Sequence, residues 1–205
     1  MVSRRNMGKV IAVVGTTGVG KTSLVRALCK QGPFAAGLEQ HKEMPFQKAF
    51  LENSSYALSN QIDYLLLRAE QERFLRQSEQ TGLVDGGLDL DYYGFTHLFH
   101  FRGWLTKEEF NLCKRFYELI RSFLPPPDLI IHMTARPEVI LQRLAKRKRI
   151  NIAGPKDTLQ LASFLEGWLS TVSPEHLINL DVSENDRGYR RLVASLLPKL
   201  RVYSI

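Results

Sequence analysis

The 205-residue chain has 44% hydrophobic and 24% charged residues, which is close to ordinary globular usage and excludes a disordered chain, a collagen-like repeat and a coiled coil. Its length supports one domain with a hydrophobic core but not two of ordinary size. The net charge of +7 is compatible with nucleic acid, a membrane surface or a small polyanion as partner, but no apolar run reaches the about 18 residues of a membrane span, and the polar, basic first residues predict no secretory signal.

The first half of the chain alternates short apolar runs with helical patterns. The β-branched run Val10–Val14, which Gly15 ends, predicts a strand that is buried on both faces. Apolar residues at helical spacing predict one long helix over residues 56–80. The other elements predicted here are a helix over 22–30, a weak strand over 36–39, a short helix over 46–51 and a strand over 83–85.

The second half continues the alternation. Three prolines, Pro125–Pro127, end one helix, and Pro137 stands at the favoured first turn of another. The predicted elements are helices over 88–101, 107–123, 137–149, 157–170 and 187–197, strands over 128–133 and 176–181, and a loop over 150–155. Alternating helices and non-amphipathic strands predict a parallel sheet with helices on both faces. We therefore predict a single α/β domain over residues 1–205 with about five parallel strands.

The strongest motif is a complete phosphate-binding loop. The pattern G-x-x-x-x-G-K-[ST] is formed by Gly15, Thr16, Thr17, Gly18, Val19, Gly20, Lys21 and Thr22. It follows a predicted strand and begins a predicted helix, which is the structural context that the motif requires. Backbone N–H groups of such a loop wrap around phosphate, so Lys21 is expected to reach the β- and γ-phosphates and the Thr22 hydroxyl to bind Mg²⁺. The loop predicts a nucleoside triphosphate, with ATP and Mg²⁺ as cofactors.

Proteins with such a loop include GTPase switches, ATPase motors and kinases for small acceptors. The stretch Asp91–Gly94 fits a loose D-x-x-G pattern, but no N-K-x-D motif for reading guanine occurs in the chain. The chain is also too short for a typical motor domain with its additional modules. A kinase for a small molecule fits this length best.

Further residues stand in an order that points to one kinase family. Glu39 follows the weak second strand, Gln61 and Arg68 lie seven residues apart on the long helix, and Asp91 comes later. The remaining matches are Pro127–Ile131, Ala135–Glu138 and the arginines Arg143, Arg147 and Arg149. From about Val10 to Asp181 the chain resembles the deoxynucleoside kinase family, which belongs with the thymidylate-kinase-like P-loop enzymes.

The resemblance implies roles for these residues. Glu39 matches the general base that accepts the proton of the attacking 5′-hydroxyl. Gln61 and Arg68 share one helix face, because seven residues make two turns, and Gln61 can pair with a base edge. Asp91 matches the aspartate that completes the base pocket with Arg68. The resemblance implies transfer of the γ-phosphoryl group of ATP to the 5′-hydroxyl of a (deoxy)nucleoside, and thus a small-molecule nucleoside or nucleotide as partner.

The basic cluster Lys146–Arg149 has two interpretations, a solvated helix end or a phosphate clamp. The resemblance implies a helical lid over about residues 143–156. Arg143, Arg147 and Arg149 would close on the ATP phosphates, because guanidinium groups suit phosphate oxygens.

The chain departs from the family pattern at three positions. The signature acid-Arg-Ser reads Asp85-Gly86-Gly87, so the acid, a candidate Mg²⁺ ligand, is kept and the arginine is replaced by Gly86. Phe50 stands where the family has the tyrosine that binds the sugar 3′-hydroxyl. It is either a substrate-binding or a core residue. The position of the family's lid glutamate lies near Ile152 in this chain and is not acidic. These changes leave three functions open: a nucleoside kinase, a nucleoside monophosphate kinase in which Arg68 binds the acceptor phosphate, and a non-catalytic nucleotide-binding module.

The sequence also predicts the cellular compartment and the partners of the protein. The two cysteines, Cys29 and Cys113, have no metal-binding spacing and are expected to be reduced thiols in a cytoplasmic protein. The basic cluster lacks interleaved aromatic residues, so we expect no nucleic-acid partner, and the lack of a long apolar run predicts no membrane partner. The resembled kinases often form homodimers, here with residues 56–80 and 92–104 as candidate surfaces. The aromatic residues of the second stretch, Phe95, Phe99, Phe101 and Trp104, are more typical of a core than of an interface.

Overall fold

Five parallel strands form the centre of the structure. The structure, a computed structural model, describes residues 7–37, 44–146, 155–184 and 188–203. The strands are β1 (Val10–Val14), β2 (Phe34–Gly37), β3 (Thr81–Asp85), β4 (Leu129–Thr134) and β5 (Leu177–Asp181). They are ordered β2-β3-β1-β4-β5, and every neighbouring pair is parallel. The predicted α/β class with a five-stranded parallel sheet is confirmed.

Helices cover both faces of this sheet. They are α1 (Lys21–Gln31), α2 (Pro45–Glu52), α3 (Ala57–Leu75), α4 (His97–Phe101), α5 (Lys107–Phe123), α6 (Pro137–Ala145), α7 (Thr158–Leu169) and α8 (Arg190–Leu200). Side chains of β1 alternate between the faces. Ile11 and Val13 belong to a core cluster with α1 and α8, whereas Val10, Ala12 and Val14 belong to a second cluster with α7 and the end of α3. Two-sided burial explains why β1 is apolar at every position.

The helix predicted over residues 88–101 is helical but not uniform. Leu90–Thr96 forms a π-helical segment, and α4 continues from it. Such wider turns are rare and often occur at functional sites. The segment carries Asp91, one of the predicted acceptor-site residues.

Several predicted boundaries were wrong by two or more residues, among them the start of β3 at Thr81 and both ends of α8. β2 begins at Phe34, two residues earlier than predicted, and pairs in register with β3 through Gly37 opposite Val84. α3 ends at Leu75 instead of residue 80, and the next side chain explains the end. Arg76 is buried and donates hydrogen bonds to the backbone carbonyls of Gly8, Pro125 and Pro126. These bonds hold the chain where it turns back toward β3.

A buried ionic network joins α3, α5 and the start of the π-helical segment. Arg121 on α5 donates to Asp89 at 2.7 Å and to Glu72 of α3 at 2.9 Å. Arg76 bonds the same Glu72 carboxylate at 3.3 Å, and the Tyr117 hydroxyl donates to Asp89 at 2.6 Å. Burial and the adjacent Asp89 carboxylate raise the pKa of Tyr117, so its hydroxyl stays protonated as a donor. The network fixes the helices that frame the candidate site.

Several surface predictions can be compared with the structure. Cys29 and Cys113 are free thiols, and burial raises the pKa of Cys113 to about 11. Phe99 is buried as predicted for a core residue, whereas Phe101 is exposed. Within the described ranges, none of the helices is both long and apolar enough to cross a membrane.

Candidate active site

The phosphate-binding loop lies between the carboxyl end of β1 and the N-terminus of α1. Gly15 has a φ of +146° and Gly20 a φ of +110°, both in the region that favours glycine. A side chain would not fit at either position: a Cβ on Gly15 would overlap the carbonyl oxygen of Met133, and one on Gly20 the hydroxyl of Tyr189. The glycines of the motif are therefore required by close packing as well as by backbone shape.

Lys21 folds back over the loop at the start of α1. Its amine donates to the carbonyl oxygens of Gly15 at 2.9 Å and Thr16 at 3.1 Å. The positive charge thus stays beside the loop and the N-terminus of α1, where the helix dipole also favours anions. This arrangement can bind phosphate.

Thr22 and Asp85 lie together although 63 residues separate them. The Thr22 hydroxyl donates a hydrogen bond to the Asp85 carboxylate, because α1 starts beside the carboxyl end of β3. A hydroxyl and a carboxylate are hard oxygen ligands of the kind that Mg²⁺ prefers. Within the described residues there is no group of three or more His, Cys, Asp or Glu that could hold a metal. At nucleotides, Mg²⁺ is usually bound by few protein ligands, and phosphate oxygens complete its coordination shell.

The structure brings the three predicted base-reading residues together. Arg68 Nε lies 2.6 Å from Asp91 Oδ2, in an ion pair whose side chains are both about 95% buried. Gln61 Nε2 donates to the Asp91 backbone carbonyl at 3.1 Å, and the Thr96 hydroxyl donates to the same oxygen at 3.1 Å. These bonds fix the Gln61 amide and the Asp91 carboxylate relative to each other.

Gly86 stands where the resembled family has an arginine, and its backbone is suited to glycine. Its φ is +94°, and that of Gly87 is +89°. A Cβ on Gly86 would lie 3.1 Å from Leu90 Cδ2 and 3.5 Å from Nη2 of Arg68. The guanidinium of Arg68 therefore lies beside the position from which the arginine is missing.

Replacing Gly86 by the family's arginine is expected to destabilise this protein. The variant Gly86→Arg should lower the free energy of unfolding by about 1–2 kcal/mol, because an L side chain at this φ is strained and crowds Leu90. Urea unfolding measures the change. Gly167→Arg, at an exposed helical position with open space around it, is the matched control and should be neutral or slightly stabilising. A Gly86→Arg protein as stable as the unmodified one would contradict this account.

The lid arginines are only partly described. Arg143 of α6 donates to the carbonyl oxygens of Val19 at 2.7 Å and Val182 at 3.0 Å, so its guanidinium ties α6 to the phosphate-binding loop. Arg147, Arg149 and Glu39 lie outside the described residues, as does most of the predicted lid.

Phe50 packs as a core residue. It is 6% exposed, and its ring stacks on Phe99 at 4.8 Å and meets Trp104 edge-on at 5.2 Å. Of the two interpretations drawn from the sequence, this packing favours the core one.

One neighbour of the loop was missed by the sequence analysis. Tyr189 precedes α8 with a φ of +55°, the only positive φ among the described non-glycine residues. Its buried hydroxyl lies 3.5 Å from the Val19 carbonyl oxygen. Burial raises the pKa of Tyr189, with Arg143 acting in the opposite direction, so the hydroxyl is protonated at neutral pH. No motif in the sequence marks this contact, since it joins residues about 170 positions apart.

The comparisons with known proteins agree with this geometry. A family model described as deoxynucleoside kinase matches residues 11–194 of the chain. The deoxyadenosine/deoxycytidine kinase of Bacillus subtilis (strain 168) is 25% identical over 143 residues, 68% of this chain and 66% of that one. The deoxyadenosine kinase of Dictyostelium discoideum is 28% identical over 143 residues, 69% of this chain and 58% of that one. The chain thus spans less than two thirds of the length of both relatives.

Solved structures show the same fold. The deoxyadenosine kinase of M. mycoides with bound dCTP superposes with a TM-score of 0.76 at 20% identity, covering 93% of this chain and 99% of that chain. The same kinase with bound dATP gives a TM-score of 0.77 at 20% identity, with 92% and 99% covered. At this identity the likeness establishes the fold.

Proposed function

The chain belongs to the deoxynucleoside kinase family, and from this premise we propose that it moves the γ-phosphoryl group of ATP to the 5′-hydroxyl of a deoxynucleoside. The observation that carries the proposal is the contact between Thr22 and Asp85 beside a complete phosphate-binding loop. This contact joins the phosphate-binding loop to the carboxyl end of β3, from which the chain continues to Asp91. A donor site and an acceptor site then lie at the same edge of the sheet, as phosphoryl transfer requires.

On the donor side, the loop amides and Lys21 bind the phosphates of ATP. Thr22 and Asp85 would hold Mg²⁺, which would supply positive charge that neutralises the phosphates. Arg143, Arg147 and Arg149 belong to a lid over residues 143–156 of this single domain, and the last two add positive charge at the γ-phosphoryl group. Because the chemistry of this transfer is mostly positioning and electrostatic stabilisation, these fixed charges lower the barrier.

On the acceptor side, Gln61, Arg68 and Asp91 bind the base. Glu39 accepts the proton from the 5′-hydroxyl as the oxygen attacks phosphorus. The two curated relatives described above are named for deoxyadenosine and deoxycytidine, whose bases both carry an exocyclic amino group. The Asp91 carboxylate can accept a hydrogen bond from such a group, so we propose an amino-bearing base as the acceptor.

The packing argues against a monophosphate kinase in which Arg68 binds the acceptor phosphate. Arg68 is 4% exposed and paired with Asp91, so it is directed into the protein and toward another charge. The replacement by Gly86 favours the other alternative, a nucleotide-binding module without turnover. Transfer assays separate the three: Mg²⁺ and γ-labelled ATP with deoxynucleosides should yield labelled nucleoside. Label on monophosphates only, or on no acceptor despite ATP binding, would refute the proposal.

Thr22 provides a direct test of the donor site. Thr22→Val keeps the shape of the side chain and removes the hydroxyl, so we expect a loss of kcat of about 10²-fold. Thr22→Ser keeps the hydroxyl and is the matched control, with activity expected within a few fold of the unmodified protein. Steady-state assays over a range of Mg²⁺ concentrations measure the difference. Equal activity of the two variants would exclude Thr22 as a Mg²⁺ ligand.

A further inference from the structure

The carbonyl oxygen of Val19, in the middle of the phosphate-binding loop, is contacted by two side chains from distant parts of the chain. Nη1 of Arg143 on α6 donates to it at 2.7 Å, and the Tyr189 hydroxyl lies 3.5 Å from the same oxygen. Nη2 of Arg143 donates to the carbonyl oxygen of Val182, just after β5, at 3.0 Å. α6, the end of β5 and the residue before α8 thus meet at one peptide group of the loop.

Tyr189 holds its position with a strained backbone. Its φ of +55° is unusual for a large side chain, and residues held in this way concentrate at functional sites. The side chain is only 6% exposed, and its hydroxyl lies against Gly20, where a Cβ would overlap it. The strain therefore places a buried hydroxyl against the peptide that joins Val19 to Gly20.

The geometry of this peptide connects the two side chains to the nucleotide. In a trans peptide the carbonyl and the N–H point in opposite directions, so donors that hold the Val19 oxygen also fix the direction of the Gly20 N–H. The Gly20 carbonyl accepts from the N–H groups of Ser23 and Leu24 at 3.1 Å, so Gly20 stands at the start of α1. Its N–H is thus one of the loop groups expected to bind phosphate at the positive end of this helix.

A glycine peptide needs such support. Because Gly20 has no Cβ, its backbone can adopt many conformations, and the peptide before it could rotate to turn the Val19 carbonyl toward the phosphates. A carbonyl oxygen in that place would repel the nucleotide. Two donors on the Val19 oxygen oppose this rotation.

We propose that Arg143 and Tyr189 are positioning residues of the donor site, which act through the Val19 carbonyl oxygen to keep the Gly20 N–H directed at the nucleotide phosphates. The proposal rests on the proposed kinase function and deepens it. It assigns Arg143 to the phosphate-binding loop instead of the γ-phosphoryl group, and it gives Tyr189 a role that no motif indicates.

Equilibrium binding of ATP and of ADP, with Mg²⁺ and without acceptor, tests the role of Arg143. Both nucleotides place a β-phosphate in the loop, but ADP has no γ-phosphate. Arg143→Lys keeps the positive charge and loses the fork that joins two carbonyl oxygens, so we expect the Kd of both nucleotides to rise by the same factor, about 10-fold. Arg115→Lys, at an exposed position of α5, is the matched control and should leave both values unchanged.

Tyr189→Phe removes only the hydroxyl. The Kd of ATP and of ADP should rise about three- to 10-fold, while kcat at saturating ATP stays within about twofold, because the N–H binds the phosphates before and during transfer. The melting temperature should fall by less than about 4 °C. The double variant should bind within about twofold of Arg143→Lys alone, since both side chains act through one oxygen. Tyr203→Phe, which packs against the same core cluster, is the matched control and should bind both nucleotides normally.

The outcomes separate the inference from the function. If the unmodified protein binds neither nucleotide, the kinase proposal and this inference fall together. If it binds ATP but phosphorylates no acceptor, only the kinase function is refuted, and the binding changes still decide the positioning role. A Kd that rises for ATP alone would make Arg143 a γ-phosphate ligand and overturn the inference, as would unchanged binding by Tyr189→Phe. Should Tyr189→Phe fail to fold, Arg143→Lys must weaken ATP and ADP equally, and an unequal effect overturns the inference.

Discussion

Replacement of Lys21 by alanine is expected to lower phosphoryl transfer by about 10³-fold while the protein stays folded. The amine is held over the loop by the carbonyl oxygens of Gly15 and Thr16, so it is already placed where the phosphates would bind. Its removal deletes a positive charge at the γ-phosphoryl group, which no neutral side chain replaces. The kcat with saturating ATP and acceptor measures the loss.

The control for this variant is Lys30→Ala. Lys30 lies on the same helix, in its last turn, and is exposed. We expect unchanged kcat for it and similar circular dichroism spectra for both variants. A Lys21→Ala protein that keeps more than about a tenth of the transfer rate would contradict the placement of the donor phosphates at this loop.

The second large effect concerns the pair of Arg68 and Asp91. Asp91→Leu should lower the free energy of unfolding by about 3–5 kcal/mol, because it leaves the guanidinium buried without this carboxylate. It should also abolish nucleoside phosphorylation, since the acceptor-binding oxygens are lost. The double variant Arg68→Met/Asp91→Leu should regain most of the stability, because an apolar pair of similar volume needs no charge compensation. Activity should not return. Urea unfolding and the transfer assay measure the two properties separately.

An exposed ion pair provides the comparison for this cycle. Lys114 and Glu118 on α5 lie 3.8 Å apart and are more than half exposed. Lys114→Met should change stability by less than about 1 kcal/mol, as is usual for surface pairs. If Asp91→Leu were no more destabilising than Lys114→Met, the buried pair would not hold α3 against the π-helical segment.

The fold could be predicted largely because local signals agreed with the long-range packing. α5 has its predicted bounds, because three prolines end the helix, and the structure adds a capping box of Thr106 and Glu109 at its start. β1 is apolar throughout because both faces are covered. The end of α3 could not be predicted, since it depends on carbonyl groups of Gly8, Pro125 and Pro126 that are distant in the sequence.

The candidate site likewise has parts that could be predicted from the sequence and parts that could not. The phosphate-binding loop is a contiguous motif and was recognised from sequence alone. The proximity of Gln61, Arg68 and Asp91 followed from a family resemblance, and the structure adds that the Asp91 carbonyl takes part. The contact of Tyr189 with the loop depends on tertiary packing, and no residue pattern signals it.

The central claim is that one γ-phosphoryl group moves from ATP to a deoxynucleoside at this site. The most direct measurement incubates the protein with ATP, Mg²⁺ and deoxyadenosine or deoxycytidine, and identifies the products by mass spectrometry and ³¹P NMR. We predict a 5′-monophosphate and ADP in equal amounts, with Lys21→Ala producing neither above background. ADP with free phosphate and no phosphorylated nucleoside, or no ADP at all despite ATP binding, would contradict the account.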